Sequence, residues 1–381
     1  MSGTPDFPRL VLRGTARQRG LQYGEQARGR IAGSIALYRG VFGHMARLGW
    51  SDAVAAARAY VPAIEKFAPE CLDEMRGIAE GAGVTFGDVL ALNARSELMF
   101  SPSAAASAVG AGECTSLAVL PEASASGHTL LAQNWDWIPA AAETAVVLEV
   151  HREDAPSYVT VAEAGHLAKV GVNSAGLGAC TNTLVSHCDA GRVGVPYHVL
   201  LRAFMDATTI SAATRMVLQA ERAFSGNFLL AHRDGLAVNI ESSSGGTEGV
   251  RTQFATNGVL SHTNHFLDGE LKPGDARVNL HPGTLFRLDT ARRALQAGSI
   301  GIDRIQAILR DHKNHPESVC WHPDPARQPM DRRLTVASVV MDLDEGELLF
   351  TAGPPCESEY QRVSLGAAIG YRRGQAAAAT R

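Results

Sequence analysis

The chain changes texture once, abruptly, and that change limits what it can fold into. Residues 101–113, SPSAAASAVGAGE, are small, polar and low in complexity, and such a stretch cannot pack a core. Before it the sequence reads as helix. PECLDEMRGIAEGAG runs into a Gly-rich stop, and Thr85 with Asp88 makes a T-x-x-D capping pattern ahead of VLALNARSELMF. From Cys114 onward it reads as strand: TSLAVL, HTLLAQNW, TAVVLEV and SYVTVAE are short, rich in β-branched residues and separated by Gly, Pro or Ser turns. The fold must therefore join a helical segment, 1–113, to a strand-rich segment, 114–381, across an exposed linker at 101–113.

Beyond these strands the pattern alternates. LAKVGV and GLGACTN flank the turn NSAG, YHVLLRAFMDA and SAATRMVLQAER are helical, and NFLLAHR and LAVNIES flank Asp234-Gly235. TLFRLDTARRALQA and DRIQAILRDH return to helix, LTVASVVMDL with GELLFTAG forms a closing hairpin, and the tail RRGQAAAATR reads as frayed. Short turns between neighbouring strands favour antiparallel over doubly wound parallel sheets. The expected class is α+β, with sheets covered by helices on their outer faces.

Composition removes several function classes. The 381 residues are 45% hydrophobic, enough for a sizeable core. With 35 Lys and Arg against 39 Asp and Glu the net charge is −4, and Arg292, Arg293, Arg332 and Arg333 form isolated pairs without interleaved aromatics. Nucleic acid is thus not an expected partner. No segment approaches the roughly 20 apolar residues of a membrane span, and MSGTPDFPRLVLRG lacks a signal-peptide pattern, so the expected location is cytoplasmic. No G-x-S-x-G elbow, Walker A sequence or strand-linked G-x-G-x-x-G occurs, so no cofactor is expected. The six cysteines contain no CxxC pair, and His262 and His265 in HTNH and His312 and His315 in HKNH lack an H-E-x-x-H frame, so no metal is expected either.

One cysteine differs from the rest. Cys114 lies between Glu113 and Thr115 at the loop-to-strand edge, where its sulfur can face a cleft; position alone leaves a structural and a nucleophilic thiol both open. In QNWDW, Asn134 and Asp136 are two apart and share a strand face. GACTN and LSHTN end in Asn182 and Asn264, and amides at strand ends can donate to a developing oxyanion, as acyl transfer requires.

These pieces, in this order, resemble the acyl-coenzyme A:6-aminopenicillanate acyltransferase family of N-terminal nucleophile (Ntn) hydrolases, whose layout the choloylglycine hydrolase and acid ceramidase group shares. The resemblance rests on GTARQRGLQYGEQ, ECTSLAVL, LLAQNWDW, GVNSAGLGACTNTL, SHTNHF and TVASVVMDL with TAGPPC, and covers nearly the whole chain. It implies a four-layer αββα sandwich, made as a precursor that cuts itself between Glu113 and Cys114 into fragments of 113 and 268 residues. The freed α-amine of Cys114, titrating near 7.7–8.0, would then serve its own thiol as base.

By the same resemblance Asp136 holds the new amine, Asn182 supplies the oxyanion donor, and Asn264 orients the terminus or substrate. Asn134 binds substrate or supports the site, and Arg333, ahead of Arg332, is the basic partner near the last hairpin, although on its own it reads as a surface residue rather than a catalytic one. Two departures stand out: Glu113 replaces the Gly that precedes the family's nucleophile, and Gln133 replaces the Arg of the related G-R-N-x-D segment. The implied activity is cleavage of a small-molecule or peptide-like amide through an acyl-thioester. Acyl transfer to an amine, or a non-catalytic binding protein of the same fold, are the alternatives. The expected partner is a small-molecule amide or acyl donor, and the expected assembly a homo-oligomer of processed heterodimers.

Overall fold

The computed structural model describes residues 6–100, 113–296 and 298–365. The expected linker 101–113 falls outside them except for Glu113, which is the first residue of a strand. The expected frayed tail also lies outside the described residues.

The N-terminal segment opens with a strand, β1 (Arg9–Arg13), where the sequence reading has only helices. RLVLR alternates, burying Leu10 and Leu12 and exposing its arginines. Seven helices follow: α1 (Ala16–Gln26), α2 (Arg28–Ala46), α3 (Trp50–Ala57), α4 (Val61–Phe67), α5 (Pro69–Ala82), α6 (Phe86–Asn93) and α7 (Arg95–Met99). Thr85 and Asp88 form the expected capping box on α6.

Next come β2 (Glu113–Val119), β3 (Leu130–Trp137), β4 (Ala145–His151), β5 (Tyr158–Glu163), β6 (Val170–Asn173) and β7 (Leu177–Thr183), then α8 (Tyr197–Phe204) and α9 (Ile210–Gln219). Strands β8 (Gly226–His232), β9 (Leu236–Ser242), β10 (Val250–Phe254) and β11 (Val259–His262) precede α10 (Gly283–Leu295) and α11 (Ile302–Leu309). The chain closes with β12 (Leu334–Asp342), β13 (Glu347–Phe350) and β14 (Gln361–Ser364).

The strands form two sheets, ordered β1-β4-β5-β6-β7-β8-β9-β10 and β11-β2-β3-β12-β13-β14. Every strand pair is antiparallel except β1 with β4. Helices α1 and α9 contact the eight-stranded sheet, α2–α8 join them through helix–helix contacts, and α10 and α11 pack against the six-stranded sheet, giving the expected four layers.

The register of β2 on β3 divides the site chemistry between two faces. Glu113 pairs with Asp136, Cys114 with Trp135 and Thr115 with Asn134. Paired residues share a face and neighbours alternate. Leu117, Val119, Leu130 and Ala132 pack with α10 and α11 residues, so Glu113, Thr115, Asn134 and Asp136 look toward that helical layer. Cys114, Ala118, Leu131 and Trp135 belong to the core between the sheets.

Helices α1 and α5 touch backbone to backbone through glycines, which steadies the end of the sandwich bearing α8. A Cβ at Gly20 would lie 2.1 Å from the Glu74 carbonyl oxygen, and one at Gly77 2.3 Å from that of Arg17. This approach lets Glu74 bind Arg19 of α1 and Arg202 of α8 in a buried cluster. Gly77→Ala sets two effects against each other. Helix propensity favours Ala by about 1 kcal/mol, while overpacking costs about 1–3 kcal/mol. A clash with fixed backbone leaves the packing loss dominant, so urea unfolding should show net destabilisation; a stabilised variant would contradict the contact.

Candidate active site

The site is built on the first residues of β2. Glu113 is buried, and its carboxylate receives Arg277 on one oxygen and Arg287 on the other. Burial works to raise its pKa, but the two guanidinium groups outweigh it and hold the carboxyl below its usual range. Arg287, from α10, also donates to the Cys114 carbonyl at 2.8 Å, Thr115 Oγ1 at 3.1 Å and Asn264 Oδ1 at 3.2 Å. One side chain thus fixes three consecutive residues around the Glu113–Cys114 bond.

Asn264 grips that bond directly. The Cys114 N–H donates to its Oδ1 at 2.6 Å, while its Nδ2 donates to the Thr183 carbonyl at 3.0 Å. Its backbone N–H donates to Thr284 Oγ1. The preceding His262 pairs through Nε2 with Glu241 at 2.6 Å, and His265 leans on Thr284 through Nδ1, so the HTNH histidines brace this corner.

Asn182, from β7, spans the gap between the sheets. Its Nδ2 donates to the carbonyls of Cys114 at 3.3 Å and His262 at 3.4 Å, and its Oδ1 accepts from Ser116 and Asn227. It is near Cys114, but its amide is engaged with backbone carbonyls rather than aimed into open space. Gln133 is a second cross-link, its Oε1 accepting from the Thr181 N–H at 2.7 Å, a role for which an arginine has no acceptor.

Asp136 lies on the helix-facing side of β3, opposite Glu113 and on the other face from the Cys114 sulfur. Its Oδ1 accepts from Thr335 Oγ1 at 2.6 Å, while its Oδ2 is buried without a hydrogen-bond partner among the described residues. Burial, opposed chiefly by Arg287, pushes its pKa up to about 7. Its own N–H approaches the Cys114 sulfur.

Asn134 donates to the carbonyls of Leu309 and Val319, both at 2.8 Å, so it ties β3 to the chain around α11 and does not line the cavity. Arg333 is buried, correcting the surface alternative. It bonds to the Met330 and Arg332 carbonyls, lies 5.2 Å from the Trp137 ring and feels the Glu113 charge. Arg332 points away, to the carbonyls of Arg327 and Pro325.

The Cys114 side chain opens on a cavity of about 10 Å³, room for roughly one water. Arg95, Trp135, Lys169, Thr181 and Tyr197 are among its lining residues. A surface cleft of about 800 Å³ beside Phe254 and Arg292 contains none of these groups. Burial pushes the Cys114 thiol up to about 11, with Lys169 opposing. Burial and then the charge of Arg95 bring Lys169 down to about 7, although Glu163 lies 3.7 Å from its ammonium. Arg95 pairs with the same Glu163 at 3.1 Å. The cavity thus holds a protonated thiol together with an amine that titrates near neutral pH.

Sequence reasoning missed Arg277, Arg287 and Lys169. Arg287 lies in TLFRLDTARRALQA and Lys169 in LAKVGV, segments whose pattern speaks only for secondary structure, and Arg277 lies in neither a helix nor a strand pattern.

A variant of the conjugated bile acid hydrolase from Clostridium perfringens superposes with a TM-score of 0.50 at 13% identity, covering 68% of this chain and 95% of that one, which shows the Ntn-hydrolase fold. The acyl-coenzyme A:6-aminopenicillanic-acid-acyltransferase 40 kDa form of Emericella nidulans is 25% identical over 334 residues, 87% of this chain and 89% of the relative. Residues 123–355, which include Asp136, Asn182, Asn264, Arg287 and Arg333, match the family described as acyl-coenzyme A:6-aminopenicillanic acid acyl-transferase, and the chain belongs to that family.

Proposed function

We propose that this protein is an autoproteolytically activated cysteine amidohydrolase that cleaves a small-molecule or peptide-like amide through an acyl-thioester on Cys114. The observation that carries the reading is the clamp on one peptide bond: Arg277 and Arg287 on the Glu113 side chain, Asn264 on the Cys114 N–H.

In the precursor the thiol loses its proton to Lys169 and the sulfur attacks the Glu113 carbonyl carbon. The C–N bond breaks, its nitrogen takes up a proton, and Glu113 is left as a thioester on Cys114. Water then opens the thioester, giving a Glu113 carboxylate and a free thiol. The new α-amine emerges on the strand pair beside Asp136, whose unpartnered Oδ2 suits an ammonium. In the mature enzyme this amine relays the thiol proton to the leaving amine of the substrate. Asn182 would serve as oxyanion donor by turning its Nδ2 from the backbone carbonyls to the substrate oxygen.

Acyl transfer is a second reading, favoured by the Emericella nidulans relative's name. An acyl-coenzyme A donor suits this chain less well, because its net charge is −4 and no lysine cluster offers a phosphate site. We place the enzyme in the cytoplasm as an oligomer of processed heterodimers; among the described residues no helix is long and apolar enough to cross a membrane.

Intact mass under denaturing conditions tests the first step. Wild type should give two fragments split before Cys114, Cys114→Ala a single chain, and Lys169→Met a precursor that matures at least about 100-fold more slowly. An uncut wild-type chain would remove the amine-as-base mechanism.

Asp136 provides a pH test in the uncut Cys114→Ala background. Its folded pKa of about 7 lies above the unfolded carboxylate's, so between about pH 4 and pH 7 the folded chain binds the extra proton and its stability falls as pH rises. Asp136→Asn removes that loss. The stability difference between the two uncut chains should move in favour of Asn by up to about 4 kcal/mol from pH 4 to pH 8. A pH-independent difference would show that Asp136 is not held in this way.

The fate of the acyl group separates the two activities. With a chromogenic amide and rising concentrations of an added amine, a hydrolase keeps releasing free acid, whereas an acyltransferase diverts the acyl group to the new amide.

A further inference from the structure

Outside the active site, three separated pieces of chain bring four metal-ligating side chains together: His312 after α11, Cys320 and His322 in the loop that follows, and Cys356 beyond β13. Their ligand atoms all lie within 4.8 Å of one another. The Cys320 and Cys356 sulfurs are 3.5 Å apart, and His322 Nε2 lies 3.7 Å from the first sulfur and 3.3 Å from the second. His312 Nε2 is 3.1 Å from His322 Nε2. A tetrahedral zinc ion with ligands at about 2.0–2.3 Å has ligand-to-ligand edges of roughly 3.3–3.8 Å. The four measured separations scatter around those edges without any movement of the backbone.

The surroundings suit a metal as well. The backbone N–H of Cys356 points at the Cys320 sulfur. Behind His322, Nδ1 faces Glu357 Oε1 at 3.5 Å, so the ring turns Nε2 toward the cluster and its other nitrogen toward a carboxylate. Both cysteines are free thiols. The expectation of no metal rests on spacing, and spacing cannot show a ligand set gathered from three loops.

We propose that His312, Cys320, His322 and Cys356 form a structural Cys2His2 site for a zinc ion. On binding, two Zn–S and two Zn–N bonds form and the two thiols release their protons to solvent. The filled site carries no net charge, since two thiolates balance the ion, and with four protein ligands it leaves no position open for catalysis. Its role is to pin the loop after α11 to the turn after β13. That loop carries Trp321, whose N–H donates to Thr335 Oγ1 at 2.8 Å, and Thr335 in turn donates to Asp136. The Trp321 ring also lies 5.4 Å from the Arg287 guanidinium. The metal thereby buttresses the wall of the active site from behind.

The test uses the full-length chain, reduced, stripped with a chelator and titrated with zinc under a competing colorimetric ligand. One equivalent should bind, zinc should raise the thermal unfolding midpoint, and cobalt in its place should give the visible bands of a tetrahedral dithiolate site. His312→Ala and Cys356→Ser, both at exposed positions that spare the core, should each weaken zinc binding by about 100-fold or more. Failure of the reduced wild type to take up a stoichiometric ion overturns the proposal. So does equal binding by wild type and both variants, or a Cys320–Cys356 disulfide in protein that binds no metal once reduced.

Discussion

The buried ion triad of Glu113 with Arg277 and Arg287 is the interaction on which the site geometry depends. Burying three charges is expensive, and an isolated pair at this depth would return little net stability. Here each carboxylate oxygen has its own guanidinium, and Arg287 Nη1 donates to the Cys114 carbonyl and Thr115 Oγ1. The desolvation cost is therefore offset by hydrogen bonds that also fix the backbone on both sides of one peptide bond. A glycine before Cys114 would remove the carboxylate that both arginines share. Glu113, a departure from the family at the level of sequence, is in three dimensions the anchor of the bond we propose is cut.

The register of β2 on β3 then sorts the chemistry. Thiol, Lys169 and Tyr197 gather at the cavity between the sheets, while Asp136, Glu113 and the arginines occupy the helix-facing side. This separation puts the Asp136 carboxylate on the other face from the sulfur, although its charge still works to raise the thiol. Before scission the Cys114 nitrogen is neutral, and burial outweighs Arg287 and Thr335 to raise the Asp136 pKa to about 7. An ammonium at the same place reverses the sign of its environment. Maturation on this reading relieves an electrostatic penalty that the precursor carries, giving the folded chain a thermodynamic reason to favour the cut form.

Much of this was legible in the sequence, for reasons that are local. Strand alternation, turn residues and the break before Cys114 report on neighbours in the chain, so the antiparallel sheets and the strand that begins beside Cys114 could be read directly. The i, i+2 rule put Asn134 and Asp136 on one face correctly but could not say which face the sulfur takes, because that follows from the pairing of Glu113 with Asp136. β1 was missed because five residues with two buried leucines carry little signal, and its partner β4 lies more than 130 residues away. Arg277, Arg287 and Lys169 carry no spacing signature at all. Their roles come from charge and burial at a site assembled by the fold.

The same limit explains how the chain can hide a second cluster of ligands. His312, Cys320, His322 and Cys356 converge only because α11 packs on β3 and β12 while β13 returns beside them. Asn134 secures the same region from within, bonding to Leu309 at the end of α11 and to Val319 one residue before Cys320. The loop bearing Trp321 is thus held at an inner point by an amide and at an outer point by the imidazole and thiol group. Between these two points lies the relay from Trp321 through Thr335 to Asp136. A shift of the loop would move the Thr335 hydroxyl and deprive the buried carboxylate of its one side-chain donor. The geometry around the nucleophile is therefore set from two directions, by arginines of the α10 region at Glu113 and by the loop after α11 at Asp136.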